Sequence, residues 1–301
     1  METTNNGRVY LAAILYSIIT GFSFLFGKIA LNSADPLDIL AYRFTASFIA
    51  ILIPILFKWI NLKYDKNKIK RILPLALLYP LLFFSFQTFG LKYASSSEAG
   101  IMQASAPIFT LILASYFLKE KTSIFQKLSI ILSVSGVIYI VIMTSSSIEL
   151  TGLKGILLLL LSALSFSGYS VLARILTKDF SGIELSYIMI IISFIAFNIV
   201  AFVKNLINGT VGSFLAPLGN IDFVLAILYL GVLSSLCTSL LTNYILSKIQ
   251  ASKMSVFSNL GTIISILAGA LILGEKLYSY HIIGSILIVA GVLGTNFLDS
   301  K

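Results

Sequence analysis

Apolar residues in this chain are gathered into ten long runs divided by short polar connections. The runs cover about 9–31, 37–57, 72–91, 99–118, 124–143, 153–173, 183–203, 222–246, 254–273 and 280–297. Each is close to the roughly 20 apolar residues that a helix needs to cross about 30 Å of hydrocarbon. Together they use nearly the whole chain, which leaves no soluble domain. The pattern predicts an all-α polytopic membrane protein with ten transmembrane helices.

The runs are also doubled. Lys28 matches Arg174, Leu37 matches Ile183 and Asp38 matches Glu184, all 146 positions apart. Farther on, Glu120-Lys121, Gln126 and Gly136 match Glu275-Lys276, His281 and Gly291, 155 apart. The change of offset places one insertion around residues 204–220. Residues 1–147 and 148–301 therefore read as two copies of a five-helix unit. Because five is odd, the second copy enters the membrane from the opposite side, and the prediction becomes two inverted five-helix repeats. Secondary transporters use such repeats for alternating access, with the binding site near the midplane between them.

Composition agrees with the bilayer. With 58% hydrophobic and 11% charged residues and a mean hydropathy of +1.00, the chain has too little polar surface to cover a water-soluble domain. The net charge of +9 does not point to nucleic acid. With a cytoplasmic N-terminus, 15 of the 21 Lys and Arg residues, including the cluster at 58–71, fall on inner segments. By the positive-inside rule both termini are cytoplasmic, and the expected location is the cell membrane. Trp59, Tyr64, Tyr278 and Tyr280 read as interfacial anchors. The lone cysteine, Cys237, permits no intrachain disulfide. Acidic residues sit near helix ends, with Asp38 and Glu184 suited to helix dipoles, so a carboxylate proton relay at the midplane is not expected. Arg43 reads as a structural ion pair with Asp38 or Glu98. His281, at the outer end of the last span, reads as interface polarity without a second ligand. Gly284, Ser285 and Gly291 read as a packing face or a homodimer face.

Several features together resemble the drug/metabolite transporter superfamily, in its EamA-like group of two-repeat, ten-helix carriers. They are Gly27-Lys28 and Ala173-Arg174 at the ends of the first and sixth spans, Leu91-Lys92-Tyr93-Ala94-Ser95 before the fourth, Pro107 within it, and the paired Glu-Lys motifs followed by Gly136 and Gly291. No one motif is specific, but their order and doubling are. The resemblance implies export of a small metabolite, such as an amino acid, without nucleotide hydrolysis and without a cofactor. Gly21 to Lys28 is no phosphate loop, because the spacing is one residue too long and Ile29 stands where Ser or Thr is needed.

The resemblance also places spans 1, 3, 4, 6, 8 and 9 around the substrate. The polar and aromatic residues there give an expected cavity of Thr20, Phe24, Tyr79, Phe83, Gln87, Gln103, Pro107, Ser165, Tyr169, Thr238, Asn243 and Asn259, with Lys28 and Arg174 as charged rims. Pro74, Pro80 and Pro107 can free carbonyls and form hinges. Gly261-Thr262 replaces the proline often found in span 9, so its break is expected to be softer. The expected partners are a small-molecule substrate and membrane lipid, with no nucleic acid. A nucleotide-sugar or other metabolite carrier is the second substrate reading. A non-transporting lipid-binding or regulatory membrane protein is the alternative of a different class. An intramembrane enzyme would need clustered His or paired carboxylates at membrane depth, which the chain lacks.

Overall fold

The computed structural model describes residues 3–58, 60, 66–119, 123–145 and 150–297, and among these it contains helices and no strand. The helices are α1 (Thr3–Leu31), α2 (Pro36–Leu56), α3 (Lys66–Ala76), α4 (Phe83–Tyr93), α5 (Ser96–Gln103), α6 (Ala106–Phe117), α7 (Ile124–Ser145), α8 (Leu150–Leu176), α9 (Gly182–Ile207), α10 (Ile221–Leu228), α11 (Thr238–Lys248), α12 (Ala251–Ile272) and α13 (Ser279–Phe297). Among the described residues, seven segments are long and apolar enough to cross a bilayer: Gly7–Leu31, Pro36–Leu56, Ile69–Tyr93, Ser96–Phe117, Gly152–Leu176, Gly182–Ile207 and Ile221–Lys248. The fifth, ninth and tenth expected spans are the helices α7, α12 and α13, with shorter apolar stretches at Lys127–Ile140, Leu260–Ile272 and Ser279–Gly291. The chain is an all-helical polytopic membrane protein. Trp59, Tyr64, Glu120 and Lys121 lie outside the described residues.

Helix starts follow local capping chemistry. Ser95 and Glu98 form a capping box at α5, and Ser181 and Glu184 form another at α9, each satisfying backbone N–H groups left open in the first turn. Asp38 departs from its repeat mate Glu184. It accepts from Lys204 Nζ at 2.6 Å and Asn205 Nδ2 at 2.7 Å, so it ties the start of α2 to the end of α9. At the other end of the bundle, Arg71 pairs with Asp179. Glu275, beyond α12, accepts from the backbone N–H groups of Ser96 and Ser97 at 2.7 and 2.9 Å and from Ser97 Oγ at 2.5 Å. Its role is therefore a carboxylate cap on α5, where the helix dipole favours negative charge.

Without water to drive apolar surfaces together, helices in lipid associate through close packing and interhelical hydrogen bonds. Small residues do this here. A Cβ on Gly21 of α1 would sit 2.7 Å from the Gly261 carbonyl of α12, and Ser17 Oγ donates to Phe257 O at 2.5 Å. Shifted by the repeat offsets, the Gly21–Gly261 contact becomes Ser167–Ala106, where Ser167 Oγ donates to Ala106 O at 2.9 Å. Lys28 and Arg174 behave in the same way. Lys28 Nζ donates to the Leu91 and Ala94 carbonyls at 2.9 and 2.7 Å, and Arg174 Nη1 donates to Leu246 O at 2.6 Å. Leu246 is 155 positions after Leu91. Contacts thus recur when the halves are exchanged. Gly284 packs within the chain, since a Cβ on Gly136 of α7 would lie 2.8 Å from its carbonyl. His281 is 4% exposed and lies against Tyr280 with ring centroids 4.3 Å apart, so it is a buried group rather than interface polarity.

A cavity between two interrupted helices

Two spans are irregular halfway along. Between α3 and α4, Tyr79 leaves the helix (φ −145°, ψ 122°) and the Tyr79–Pro80 peptide is cis. Proline explains the interruption, because it removes an N–H and forces its predecessor out of helical backbone. Between α10 and α11, the segment Tyr229–Cys237 stays helical but is wound wider, as in π-bulges, which recur at functional sites. Ser234, in the middle of this segment, is the 155-offset mate of Tyr79. The widened turn is packed hard against α2. A Cβ on Gly231 would lie 2.6 Å from both Ala46 Cβ and Arg43 O, and Ser47 Oγ donates to Gly231 O at 2.8 Å.

Between these interruptions lies a cavity lined by Tyr16, Thr20 and Ser23 of α1, Tyr79, Phe83, Phe84 and Gln87, Phe166 of α8, and Ser234 and Thr238. Its free space is about 10 Å³, room for roughly one water molecule. Aromatic rings close it: Tyr79 stacks on Tyr169 at 4.5 Å and lies 5.1 Å from both Phe83 and Phe84. Tyr79 OH meets Thr238 Oγ1 at 3.3 Å. The arrangement offers neutral hydroxyls, one amide and ring faces.

Of the residues expected at the substrate, Thr20, Tyr79, Phe83, Gln87 and Thr238 line this cavity. Others do not. Phe24 is buried with Leu91, Ala99 and Ile101, because it points from α1 toward α4 and α5. Gln103 is buried where α5 ends, outside the lining, and Pro107 begins α6. Ser165 turns back on its own helix and donates to Leu161 O at 2.9 Å. Tyr169 and Asn243 form a layer behind the wall. Tyr169 OH donates to Asn243 Oδ1 at 2.8 Å, and Asn243 Nδ2 donates to Ser186 Oγ at 2.9 Å. The side chain of Asn259 lies outside the described residues. Lys28 and Arg174 hold helix-end carbonyls rather than forming an open rim. The expected hinge in span 9 is absent, as α12 runs unbroken, whereas span 4 breaks between α5 and α6 ahead of Pro107.

Sequence reasoning missed Tyr16, Ser23, Phe84, Phe166 and Ser234, whose residue types are equally common in packed interfaces. It also misplaced Arg43. This residue is 2% exposed and pairs with neither Asp38 nor Glu98. It donates from Nε to Ser235 Oγ at 2.7 Å and from Nη2 to Ser234 Oγ at 2.8 Å, and its guanidinium carbon lies 3.7 Å from the centroid of Phe84. Among the described residues, no group of three or more His, Cys, Asp or Glu is placed to hold a metal.

A second, larger pocket of about 530 Å³ opens at one end of the bundle around Asp35, Asp38, Lys204, Asn205 and Phe214. The residues inserted after α9 roof it, with the Phe214 ring stacked on Tyr42 at 4.7 Å and its carbonyl accepting from Tyr42 OH. Its carboxylates are already engaged by Lys204 and Asn205, and it lies away from the irregular helices. The mid-span cavity is therefore the candidate site.

Comparison with known proteins bears on the whole chain. Residues 7–142 and 153–297 each match the EamA-like transporter family. An "Uncharacterized transporter YcxC" of Bacillus subtilis (strain 168) is 54% identical over 293 residues, covering 97% of this chain and 94% of that one. An "Uncharacterized transporter" of Archaeoglobus fulgidus is 27% identical over 273 residues, covering 90% and 92%. A solved crystal structure aligns with a TM-score of 0.69 at 14% identity, over 98% of this chain and 99% of that one, a likeness of fold.

Proposed function

The chain belongs to the EamA-like transporter family, and from that premise we propose that it is a secondary carrier exporting a small metabolite by alternating access. The observation that carries this reading is the cavity held between two mid-span interruptions related by the repeat offset. Interrupted helices place loosened backbone at membrane depth only where it is buried or lines a cavity, and carriers built from repeats bind substrate there. The small cavity corresponds to a closed conformation. Admitting a metabolite then requires the Tyr79, Phe83 and Phe84 rings to part.

In this proposal ten spans form two inverted repeats, with both termini in the cytoplasm of a cell-membrane protein. The cross-loop contacts support that arrangement. Asp38 with Lys204, and Ser96 and Ser97 with Glu275, each join loops that ten alternating spans would put outside. Arg71 with Asp179 joins segments that the same count puts inside, in keeping with the basic cluster at 58–71.

Counterflow in proteoliposomes tests the function. Vesicles preloaded with unlabelled amino acids and related metabolites should accumulate at least one labelled counterpart, and Gln87→Ala should reduce that uptake while the protein stays folded. A correctly folded protein that exchanges none of them would overturn the carrier reading.

A further inference from the structure

Arg43 is a permanent cation within the membrane, and its surroundings supply no anion. Its partners are the hydroxyls of Ser234 and Ser235, the Ser234 carbonyl at 3.4 Å, and the face of Phe84. Among the described residues no carboxylate lies within ion-pair distance. The acidic residues nearest in sequence are engaged elsewhere, Asp38 by Lys204 and Asn205 and Asp35 by Lys204 and Lys92. Ser234 falls at the middle of the 28-residue span Ile221–Lys248, so the guanidinium is anchored near half depth and, at 2% exposure, does not snorkel. A buried charge without a counter-ion is costly. Packing the widened turn against α2 does not require one, because Ser47 and Gly231 already make that contact with neutral groups.

Two of the groups that cover Arg43, Phe84 and Ser234, also line the central cavity. The hydrogen bonds engage Nε and Nη2 and leave Nη1 for a further acceptor. We propose that Arg43 is the counter-ion of the transported molecule, and that this molecule carries a single carboxylate. On entry, the Phe84 ring moves aside and the carboxylate accepts charge-assisted hydrogen bonds from Nη1, in the plane of the guanidinium. The cavity lining itself holds no cation and no carboxylate. The one resident positive charge is matched by one carboxylate, with the ammonium of a 2-amino acid left to the neutral hydroxyls, the amide and the ring faces, whereas a phosphate or diphosphate ester would bring further negative charge that nothing here neutralises. This assignment rests on the carrier reading above.

The test compares acids with their carboxamides, which lack the carboxylate charge, on the wild-type protein, so it does not depend on a variant folding. Proteoliposomes are assayed by counterflow with a panel of 2-amino acids and simple monocarboxylates. Each is paired with its carboxamide, and an alkyl amine, glycerol 3-phosphate and a nucleotide sugar are added. Free acids should exchange, their amides should bind about a hundredfold or more weakly, Arg43→Gln should abolish exchange, and Arg43→Lys should retain part of it. Acid and amide exchanged equally well, or exchange unaffected by Arg43→Gln, would overturn the assignment and leave the carrier reading standing. Exchange of the phosphorylated probes alone would overturn the choice of carboxylate. No exchange of any probe by folded wild-type protein would remove the carrier reading and this inference with it.

Discussion

Tyr79 and Ser234 occupy the same place in the two halves, yet the chain treats them differently. Around Tyr79 the helix is broken outright by Pro80, and a large ring fills the gap. Around Ser234 no proline intervenes, the helix only widens, and small side chains let α2 and Arg43 come close. At the helix ends the halves agree instead: Lys28 and Arg174 hold matching carbonyls. These two cations do the same job in each half, although the helix starts differ, with Glu184 capping α9 and Asp38 binding Lys204 and Asn205. In the carrier proposed above, the middles would face a molecule without internal symmetry, and there the copies differ.

That contrast can be broken experimentally. The largest effect should come from Gly231→Leu, which has no room against Ala46 and the Arg43 carbonyl; overpacking of this kind costs about 1–3 kcal/mol or more. A lowered Tm in detergent is expected, and an unchanged Tm would mean that α2 and the widened turn are not in contact. Next, Lys28→Met and Arg174→Met should each cost about 1.5–3 kcal/mol, the range for hydrogen bonds to charged groups. Their near equality is the point, so a difference above about 1.5 kcal/mol in denaturant unfolding would contradict matching roles. Tyr169→Phe should cost about 1 kcal/mol by leaving Asn243 Oδ1 without its donor, while Tyr79→Phe, whose contact with Thr238 is longer, should cost less. A reversed order in Tm would move the tighter hydrogen bond to the cavity wall. The smallest effect is expected for Arg71→Ala, which removes an exposed ion pair worth about 0–1 kcal/mol. Any loss should shrink as salt is added, and a salt-independent loss would point instead to the guanidinium over the Phe180 ring, 5.0 Å from its centroid.

The sequence made the helices readable because apolar length, capping residues and proline act locally. Ser95-Glu98 and Ser181-Glu184 are capping boxes visible as letters, and Pro80 and Pro107 each stand at a real interruption. The widened turn at Tyr229–Cys237 was not readable, since it contains no proline and arises from the close approach of α2. The cavity was half legible. Tyr79, Phe83 and Gln87 share one helix face, so spacing found them, but the same spacing argument also selected Ser165 and Asn243. A serine back-bonded to its own helix and an asparagine held by a tyrosine look, as sequence, like serines and asparagines facing a cavity. Arg43 was misread for a related reason: Asp38 nearby in sequence suggested a pair, and only the tertiary structure shows it held by Lys204 and Asn205, with Glu98 engaged in the cap of α5.

In the proposed carrier, Arg43 would also act as an electrical element. Carrying one elementary charge across the whole of a membrane potential involves about 2.3 kcal/mol per 100 mV, and a cation fixed near half depth experiences a fraction of that whenever the surrounding helices rearrange. With the site empty, reorientation would displace the uncompensated guanidinium relative to the field and so generate a small current. With a carboxylate that bears no ammonium docked on it, the same movement would be close to electroneutral. Voltage would then act chiefly on the return of the empty carrier, giving the direction of net flux a dependence on membrane potential.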